Sequence, residues 1–245
     1  MTDGGSGTVT VPWEGGEALA LSRGGAVLAF GIGPRFSGTP REEHALRLAE
    51  AVAPGVRAVR WCQQVHGTVV ASLSASREHP VDGPAAVGRC DGLVTDEPGL
   101  ALGVWTADCV PVLVAGGGVV AALHSGWRGT AAGIVPRAVR RLLVEYGVAA
   151  DRLHVALGPA IGGCCYEVGA EVVAALRGRG VPEAVWREEW RVDLRALLRA
   201  ELLALGVPPG RVELVGGCTA CSEALASYRR DGPRAGRQLS FAVLR

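Results

Sequence analysis

Apolar residues in this sequence occur in short runs that glycine- and proline-rich turns separate. The runs Val110–Val114 and Val119–Leu123 flank a glycine turn at Gly116–Gly118, and this pattern predicts a β-hairpin. The stretch Arg41–Val52 (REEHALRLAEAV) differs, because its apolar positions recur at helical spacing with a charged opposite face. The chain is therefore predicted to mix strands with amphipathic helices.

The remaining pattern extends this prediction along the chain. Further strands are predicted at Gly25–Phe30, Val56–Cys62, Thr68–Leu73, Leu93–Thr95, Leu100–Thr106, Leu153–Leu157, Arg211–Val215 and Ser240–Leu244. Further helices are predicted at Ala131–Tyr146 with a late start or kink at Pro136, at Glu171–Arg177, and at Leu194–Leu205 after the N-cap Asp193. A polar loop is predicted at Ser74–Cys90, and a charged turn at Arg229–Gly232.

These elements predict the fold class and the domain organisation. Strands and helices alternate without a regular βαβ rhythm, and the sequence has no internal repeat and no linker. We expect an α+β (mixed α/β) fold, a single domain over residues 11–245 with a mixed β-sheet core and flanking helices. Residues 1–10 are expected to form a disordered N-terminal tail.

Composition and charge narrow the function classes. The chain has 245 residues, of which 49% are hydrophobic, and a formal net charge of +1, which argues against a nucleic-acid-binding protein. No apolar run is long enough to span a membrane, and no export signal is visible, so we expect a cytoplasmic protein that is a monomer or a homodimer. All basic residues are arginines, which excludes lysine chemistry.

The seven cysteines are an odd number, and in a reduced cytoplasm we expect them to be unpaired thiols. Cys164 and Cys165 are adjacent, and Cys218 and Cys221 form a CxxC motif. One CxxC without a partner pair is a weak indication of zinc, so ordinary buried thiols are the favoured interpretation here.

Candidate chemistry centres on the open end of the predicted hairpin. Cys109 directly precedes the first apolar run and His124 follows the second, so the hairpin would bring them together. His66, beside Gly67 at a predicted turn, is a third candidate ligand. Three such ligands would leave a zinc ion one open position, as in catalytic sites. The alternatives are a Cys109 nucleophile with His124 as base, giving a hydrolase or deamidase, and a non-catalytic zinc-stabilised binding module.

Neighbouring polar residues have candidate roles in the same site. Asp108 and Gln64 would orient a ligand or a substrate, although Asp108 needs a break in the backbone to share a face with Cys109. Arg128 lies in a glycine-bracketed loop before a predicted helix, which suits an anion such as phosphate. A surface arginine that caps local carbonyl groups is an equal alternative for Arg128.

Several motifs resemble a known family. They are QVHG (Gln64–Gly67), DG (Asp91–Gly92), TADCVPV (Thr106–Val112), HSGWRGT (His124–Thr130), GPAIGGCCYEVG (Gly158–Gly169) and CT…SYRRDG (Cys218–Gly232), all in the family's order. In these motifs the chain resembles the laccase-domain, polyphenol-oxidase-like proteins of the YfiH type. The resemblance implies a YfiH/CNF1-like fold and one zinc ion with the ligands His66, Cys109 and His124.

The resemblance also implies an activity. It implies phosphorolysis of purine nucleosides, chiefly adenosine and inosine, to the base and ribose 1-phosphate, with adenosine deamination and methylthioadenosine phosphorolysis at the same site. Asp108 and Arg128 are then the predicted catalytic residues, and Gln64, Arg128 and Arg35 the predicted substrate-binding residues. Purine nucleosides and phosphate are the expected partners.

The sequence departs from two features that the family suggests. Five histidines without a His-x-His pair are too few for a multicopper centre, so zinc is favoured over copper. The N-terminal segment around GIGPRFSGTP is shorter than the family pattern, which puts the groups that close the nucleoside pocket in doubt. Arg35, in this segment, is the predicted remaining pocket arginine.

Overall fold

The computed structural model of the protein describes residues 7–13, 16–32, 41–73, 85–179, 185–188 and 190–245. Within these residues the chain forms two mixed β-sheets and a short two-stranded ribbon. The strands are β1 (Val9–Trp13), β2 (Gly16–Arg23), β3 (Ala26–Ile32), β4 (Ala58–Gln63), β5 (Val70–Leu73), β6 (Ala85–Arg89), β7 (Gly92–Thr95), β8 (Leu100–Thr106), β9 (Val110–Gly116), β10 (Val119–Ser125), β11 (His154–Leu157), β12 (Trp186–Glu188), β13 (Arg191–Val192), β14 (Val212–Leu214) and β15 (Gln238–Leu244). The α-helices are α1 (Arg41–Val52), α2 (Trp127–Ala132), α3 (Ile134–Glu145), α4 (Ala170–Arg177), α5 (Leu194–Ala204) and α6 (Tyr228–Asp231).

The first sheet has the strand order β1-β2-β3-β15-β8-β4-β6. Its pairs are antiparallel except for β4, which runs parallel to both β8 and β6. The last strand of the chain, β15, thus lies inside the sheet between β3 and β8. Helix α1 packs on this sheet through Ala45, Leu48, Ala49 and Val52, which lie on one face because they recur at helical spacing.

The second sheet has the order β14-β11-β9-β10-β7-β5 and contains the predicted hairpin of β9 and β10. In β9, Val112 and Val114 pack in the core that includes side chains of α3 and α5. Leu113 and Ala115 point the other way, into the core shared with the first sheet. The two sheets therefore stack face to face, and helices cover their outer faces.

This architecture confirms the predicted α+β class and most of the predicted elements. The hairpin turns at Gly117 and Gly118, whose φ angles of 60° and 79° suit glycine. Asp193 caps α5 by accepting a hydrogen bond from the backbone N–H of Ala196, as the N-cap prediction requires. None of the helices in the described part of the chain is long and apolar enough to cross a membrane.

Four local predictions need correction. The predicted loop Ser74–Cys90 contains strand β6, which pairs with β4 at the sheet edge. The predicted helix at 131–146 is divided at Gly133, whose φ of 81° ends α2 before α3 begins at Ile134. The predicted charged turn at 229–232 belongs to the short helix α6. Strand β1 begins at Val9, so the last two residues of the predicted tail pair with β2, whereas residues 1–6 lie outside the described ranges.

The structure also corrects the expectation that every thiol is unpaired. Cys62 at the end of β4 and Cys90 just before β7 form a disulfide, and both are buried. The other described cysteines are free. The pairing joins β4 of the first sheet to the segment that enters the second sheet, a contact between residues that are 28 positions apart in the sequence.

Candidate metal centre and the cavities beside it

The turn that carries His66 is held by one buried carboxylate. Asp91 accepts hydrogen bonds from the backbone N–H groups of Val65 (3.1 Å), His66 (2.8 Å) and Gly67 (2.7 Å). His66 itself has a φ of 60°, the left-handed conformation that a non-glycine residue rarely adopts. The carboxylate thus compensates for a strained turn and sets where the His66 ring lies.

The hairpin brings Cys109 and His124 together at its open end, as predicted. His124 lies opposite Pro111 in the β9–β10 register, and Cys109 directly precedes β9. The ligand atoms of His66, Cys109 and His124 all lie within 4.8 Å of one another. The two imidazole rings meet edge to face, with centroids 4.8 Å apart. The three predicted ligands therefore form one cluster, which we call the His–Cys–His trio.

A second contact of Asp91 orients one of the trio. Its Oδ1 lies 2.9 Å from Nδ1 of His124, and the two side chains are 0% and 3% exposed. This pairing leaves Nε2 as the ring nitrogen of His124 for a ligand, because Nδ1 is already engaged. Asp91 was not predicted as a site residue from its sequence context. The available signal was a carboxylate directly before a short, mostly apolar strand, where burial demands a partner.

Electrostatics within the trio favour a charged pair when no metal neutralises it. Burial acts to raise the pKa of Cys109, but hydrogen bonds from His124 and His66 outweigh it and lower that pKa to about 6. Burial acts to lower the pKa of His124, but Asp91 and Cys109 raise it to about 9. Cys109 is therefore mainly a thiolate at neutral pH, and the thiolate is the form of cysteine that binds metals.

Close packing around the trio leaves space for sulfur and imidazole but not for an added methyl group. A Cβ at Gly126 would lie 2.8 Å from Sγ of Cys109 and 3.1 Å from Cδ2 of His66. Gly126 directly follows β10 and precedes α2, so the glycine lets the chain pass close to both ligands. Two imidazoles and one thiolate converging in this way fit the donor set of a zinc site.

A large cavity opens beside the trio. Its volume is about 700 Å³. His66, Cys109 and His124 line it together with aromatic and arginine side chains, namely Trp61, Trp105, Tyr228, Arg229 and Arg237. Trp61 and Trp105 contact each other edge to face at 6.0 Å, and Tyr228 is exposed. A cavity of this size that combines aromatic surface with polar and charged side chains is typical of small-molecule sites.

Asp108 meets its requirement for a break in the backbone. It lies between β8 and β9 with a φ of 83°, and it lines the large cavity together with Cys109. Its carboxylate accepts hydrogen bonds from Oγ1 of Thr219 and from the backbone N–H of Arg229, both at 2.6 Å. Asp108 therefore shares the site with the trio, and a turn and helix α6, both distant in sequence, hold its carboxylate in place.

Gln64 also lines the large cavity, but the backbone occupies its amide group. Its Nε2 donates to the carbonyl oxygen of Trp105, and its Oε1 accepts from the N–H of the same residue, each at 2.8 Å. These contacts tie the start of the His66 turn to β8. Direct substrate binding by Gln64 stays a prediction.

Arg128 requires a correction of its local structure. It is the second residue of α2 and does not precede the helix, because helical geometry begins directly after Gly126. Its guanidinium group lies 4.2 Å from the ring centre of Trp127, and the residue is exposed. Arg128 also lines a second, smaller cavity of about 110 Å³. Arg128 therefore borders the site, but it does so from the first turn of α2 and not from the loop that the sequence predicted.

The small cavity also borders the trio. His66, Asp108 and Cys109 line both cavities, and Tyr166 lines the small one. Burial is the main cause that raises the pKa of Tyr166 to about 12, and the negative charge of Cys109 adds to it. Tyr166 is therefore a neutral hydroxyl at physiological pH. Arg35, the predicted pocket arginine, lies outside the described residues.

Comparison with known proteins identifies the family. Residues 41–245 match the family described as multi-copper polyphenol oxidoreductase laccase. The chain belongs to this family. It is 41% identical over 208 residues to purine nucleoside phosphorylase YlmD of Geobacillus stearothermophilus, covering 80% of this chain and 75% of that protein. It is 40% identical over 236 residues to purine nucleoside phosphorylase SCO2081 of Streptomyces coelicolor, covering 94% and 89%.

Solved structures show the same fold for this laccase-like family member. The structure of YlmD from Geobacillus stearothermophilus aligns with a TM-score of 0.74 at 35% identity, covering 90% of this chain and 92% of that one. A hypothetical protein, YfiH of Bacillus licheniformis, aligns with a TM-score of 0.77 at 26% identity, covering 90% and 93%. The predicted YfiH-type fold is thus confirmed.

Proposed function

We propose that this protein is a zinc-dependent purine nucleoside phosphorylase whose metal ligands are His66, Cys109 and His124. The observation that carries the proposal is the position of the trio, which borders both a large aromatic cavity and a small cavity beside an arginine. Phosphorolysis of a nucleoside needs two neighbouring binding sites, one for the nucleoside and one for phosphate. The relatives named as purine nucleoside phosphorylases support the same reaction.

The donor set supports zinc over the multicopper centre that the family's description mentions. A trinuclear copper cluster needs more imidazoles than the two that the trio contains. Of the other histidines, His44 and His154 lie elsewhere in the fold, and His79 lies outside the described residues. A zinc ion held by the trio would act as a Lewis acid and lower the pKa of a bound water to about 7.

A mononuclear copper site is the closer competitor in donor chemistry. Two imidazoles and one thiolate are also the ligands of blue-copper centres, which add a weak axial ligand, usually methionine. The only methionine in the chain is Met1. The trio therefore offers the ligands that both metals share, and it lacks the axial methionine that distinguishes copper.

We place the nucleoside in the large cavity. Trp61, Trp105 and Tyr228 provide aromatic surface against which a purine can stack. The carboxylate of Asp108 borders the same space, and its two hydrogen bonds hold it in position. As the base leaves, positive charge develops on the ribose, and a fixed carboxylate stabilises that charge. This is the catalytic role that we propose for Asp108.

We place phosphate in the small cavity. Arg128 can grip two phosphate oxygens with its guanidinium group, and Tyr166 offers a neutral hydroxyl as a second donor. Because Asp108 and Cys109 line both cavities, a phosphate there lies next to the ribose of a nucleoside in the large cavity. A phosphate oxygen would then bond to the anomeric carbon while the bond to the base breaks, which yields ribose 1-phosphate.

The proposal includes two side activities and a cellular setting. Deamination of adenosine would replace the amino group of the purine ring with the oxygen of a water molecule and release ammonia, and a zinc ion held by the trio would supply the activation of that water. The large cavity also has room for methylthioadenosine, which differs from adenosine at the far end of the ribose. We propose a cytoplasmic location for the enzyme, with nucleosides and phosphate as its small-molecule partners.

The second candidate is a hydrolase with Cys109 as nucleophile and His124 as base. The observation that favours it is the pairing of a thiol of lowered pKa with a histidine oriented by Asp91, the arrangement of a Cys-His-Asp triad. A non-catalytic zinc-stabilised module remains the third alternative, and the substrate-sized cavity beside the trio argues against it.

Metal analysis combined with an activity assay tests the proposal. The purified protein would be incubated with adenosine and phosphate and assayed for adenine, inosine and ribose 1-phosphate. The zinc content of the trio is the zinc content of the wild-type chain minus that of His66→Ala. We expect a difference of about one zinc per chain and phosphate-dependent release of adenine that His66→Ala abolishes. His44→Ala, on α1, is the matched control and should retain both zinc and turnover.

Three results would contradict the proposal. Equal zinc content and equal turnover in the wild-type chain and His66→Ala would exclude the trio as the metal site. Rapid alkylation of Cys109 in the protein as purified, without a chelator, would favour the cysteine hydrolase, because zinc-bound thiolate is protected. A Cu(II) signal in electron paramagnetic resonance that His66→Ala abolishes, with equal zinc content in the two proteins, would identify copper as the metal of the trio.

A further inference from the structure

The remaining free cysteines form a second cluster outside the proposed catalytic site. Cys164 and Cys165 lie in a turn after β11, and Cys218 and Cys221 lie in a turn after β14. Sγ of Cys221 lies 3.4 Å from Sγ of Cys165 and 3.7 Å from Sγ of Cys164. All four sulfur atoms lie within 4.8 Å of one another. We call these residues the four-cysteine cluster.

The spacing of the sulfur atoms is that of ligands around one metal ion. Zinc binds thiolate sulfur at about 2.3 Å, and the edges of a tetrahedron with that radius are about 3.8 Å long. The measured separations of 3.4 Å and 3.7 Å are close to this value. In a multinuclear iron–sulfur cluster the cysteines bind different iron atoms and lie further apart. The geometry therefore fits a mononuclear site with four sulfur ligands.

The backbone explains how adjacent cysteines can face the same point. Successive side chains of a strand point to opposite faces, but Cys164 and Cys165 lie in a tight turn in which the N–H of Cys165 donates to the carbonyl of Gly162 at 2.9 Å. A Cβ at Gly162 would lie 3.3 Å from both Sγ of Cys164 and Cβ of Cys218. The glycine therefore leaves room for the two turns to approach each other.

The surroundings offset the negative charge of four thiolates. The backbone N–H of Gly162 donates to Sγ of Cys218 at 3.2 Å. The guanidinium group of Arg229 donates to the carbonyl of Cys165, and that of Arg230 donates to the carbonyl of Thr219. Two arginines thus hold the backbone of both turns. Backbone N–H groups and nearby cations are the outer contacts that thiolate sites need.

We propose that Cys164, Cys165, Cys218 and Cys221 bind one zinc ion as a structural site, distinct from the His–Cys–His trio. Two partly exposed and two exposed cysteines would otherwise be reactive surface thiols. A tetrahedral site with four thiolates has no open position, so it serves folding and not catalysis.

This zinc would hold together the wall of the substrate cavities. Thr219, next to Cys218, donates to Asp108, and Tyr166, next to Cys165, lines the small cavity. The two turns are 56 residues apart in the sequence and are otherwise joined by backbone contacts such as Thr219 N–H to the carbonyl of Ala160 at 3.0 Å. A metal that crosslinks them fixes the groups that position the Asp108 carboxylate.

Zinc counting in single-site variants tests the proposal on the intact chain, purified under reducing conditions and dialysed against a weak chelator. The wild-type chain should hold about two zinc ions, and Cys221→Ser about one. His66→Ala should also hold about one, and the combination of both changes should hold none. Ser222→Ala, next to the cluster, is the matched control and should hold about two. The design separates the two sites, because the loss at the cluster is measured whether or not the protein is a phosphorylase.

Cobalt substitution then identifies the ligands of the remaining site. In His66→Ala, Co²⁺ should give the intense thiolate charge-transfer absorption of a four-sulfur tetrahedral complex, and Cys221→Ser should weaken it. Cys221 is exposed, so the substitution itself removes no core packing, and circular dichroism checks that the secondary structure is kept.

Four results would overturn the proposal. They are a zinc count in Cys221→Ser equal to that of the wild-type chain, a cobalt spectrum without thiolate charge transfer, iron in place of zinc at the cluster, and an intact mass that shows disulfides among the four cysteines under reducing purification.

Discussion

Asp91 and His124 form a buried hydrogen bond of 2.9 Å between Oδ1 and Nδ1, and the same carboxylate holds the turn that carries His66. One fully buried side chain thus orients two of the three proposed metal ligands. Burial acts to raise the pKa of Asp91, but hydrogen bonds from His124 and Gly67 lower it below its usual value. The residue is therefore a carboxylate at neutral pH, as its acceptor role requires.

Replacing Asp91 should weaken zinc binding at the trio. In Asp91→Asn the new NH₂ group would face the backbone N–H donors of the His66 turn, which have no other acceptor of equal charge. We expect zinc affinity to fall by about 10- to 100-fold, as outer contacts of metal-bound histidines typically show. The measurement is competition with a chelator. The control is Asp96→Asn, because Asp96 is exposed and follows the strand β7 that Asp91 precedes. An unchanged zinc affinity in Asp91→Asn would refute the orienting role of Asp91.

A methyl group at Gly126 should displace the ligands. In Gly126→Ala the Cβ would lie 2.8 Å from Sγ of Cys109, closer than real contacts allow. Because interiors resist such overpacking, we expect the turn to shift at a cost of about 1–3 kcal/mol and the metal affinity of the trio to fall. Gly210→Ala is the control, since a Cβ there meets nothing within 4 Å. Normal zinc content in Gly126→Ala would show that the ligands tolerate the shift.

Arg128 should affect phosphate more than nucleoside. Loss of a charged donor to an anion costs about 1.5–3 kcal/mol, so Arg128→Ala should raise the KM for phosphate by roughly 10- to 100-fold. The KM for adenosine should change less, because Arg128 lines the small cavity and not the large one. Steady-state kinetics with each substrate varied in turn gives both values. Arg137→Ala, exposed on α3, should leave both unchanged, and an equal rise of both constants in Arg128→Ala would contradict the assignment.

The thiol of Cys109 should react at unusually low pH once the metal is removed. Its pKa of about 6 means that the reactive thiolate predominates above about pH 6, whereas an ordinary cysteine needs about pH 8.5. We expect the alkylation rate of Cys109 in chelator-treated protein to rise through pH 6 and then level off. Peptide mass spectrometry follows this residue separately from the other cysteines.

The same experiment contains its own controls. Without chelator, Cys109 should be protected over the whole pH range, since the metal occupies the thiolate. Chelator-treated His66→Ala should show a midpoint at higher pH, because one of the two hydrogen bonds that lower the pKa is lost. A midpoint near pH 8.5 in the wild-type chain would contradict the proposed charge pairing.

Local sequence patterns predicted much of the fold correctly. Helix α1 has the bounds that its apolar spacing predicted, and the β9–β10 hairpin turns at the glycines that predicted it. These elements are set by contacts between residues close in sequence. Strand β6 was missed because its residues pair with β4 only at the edge of a sheet assembled from distant segments. The break at Gly133 was placed at Pro136 instead, although proline is tolerated in the first turn of a helix.

The residues of the candidate site likewise fall into those that local sequence predicted and those that only the structure identified. Cys109 and His124 were predicted to meet because a single hairpin joins them, and His66, at a predicted turn, was a third candidate ligand that the family resemblance also implied. Asp91 was missed because its importance depends on the burial of its carboxylate against a turn 24–26 residues earlier. Arg128 was expected in a loop, and only the structure shows that α2 has already begun there.

The sequence by itself determined the mixed α/β class, the central hairpin and the residue types that can bind a metal. Periodicity and turn chemistry express local energetics, so they can be read along the chain. The tertiary structure alone decided that Asp91 orients the trio, that Cys62 pairs with Cys90, and that four cysteines converge. Such contacts join segments tens of residues apart, and which segments meet depends on how the two sheets stack and bury their faces.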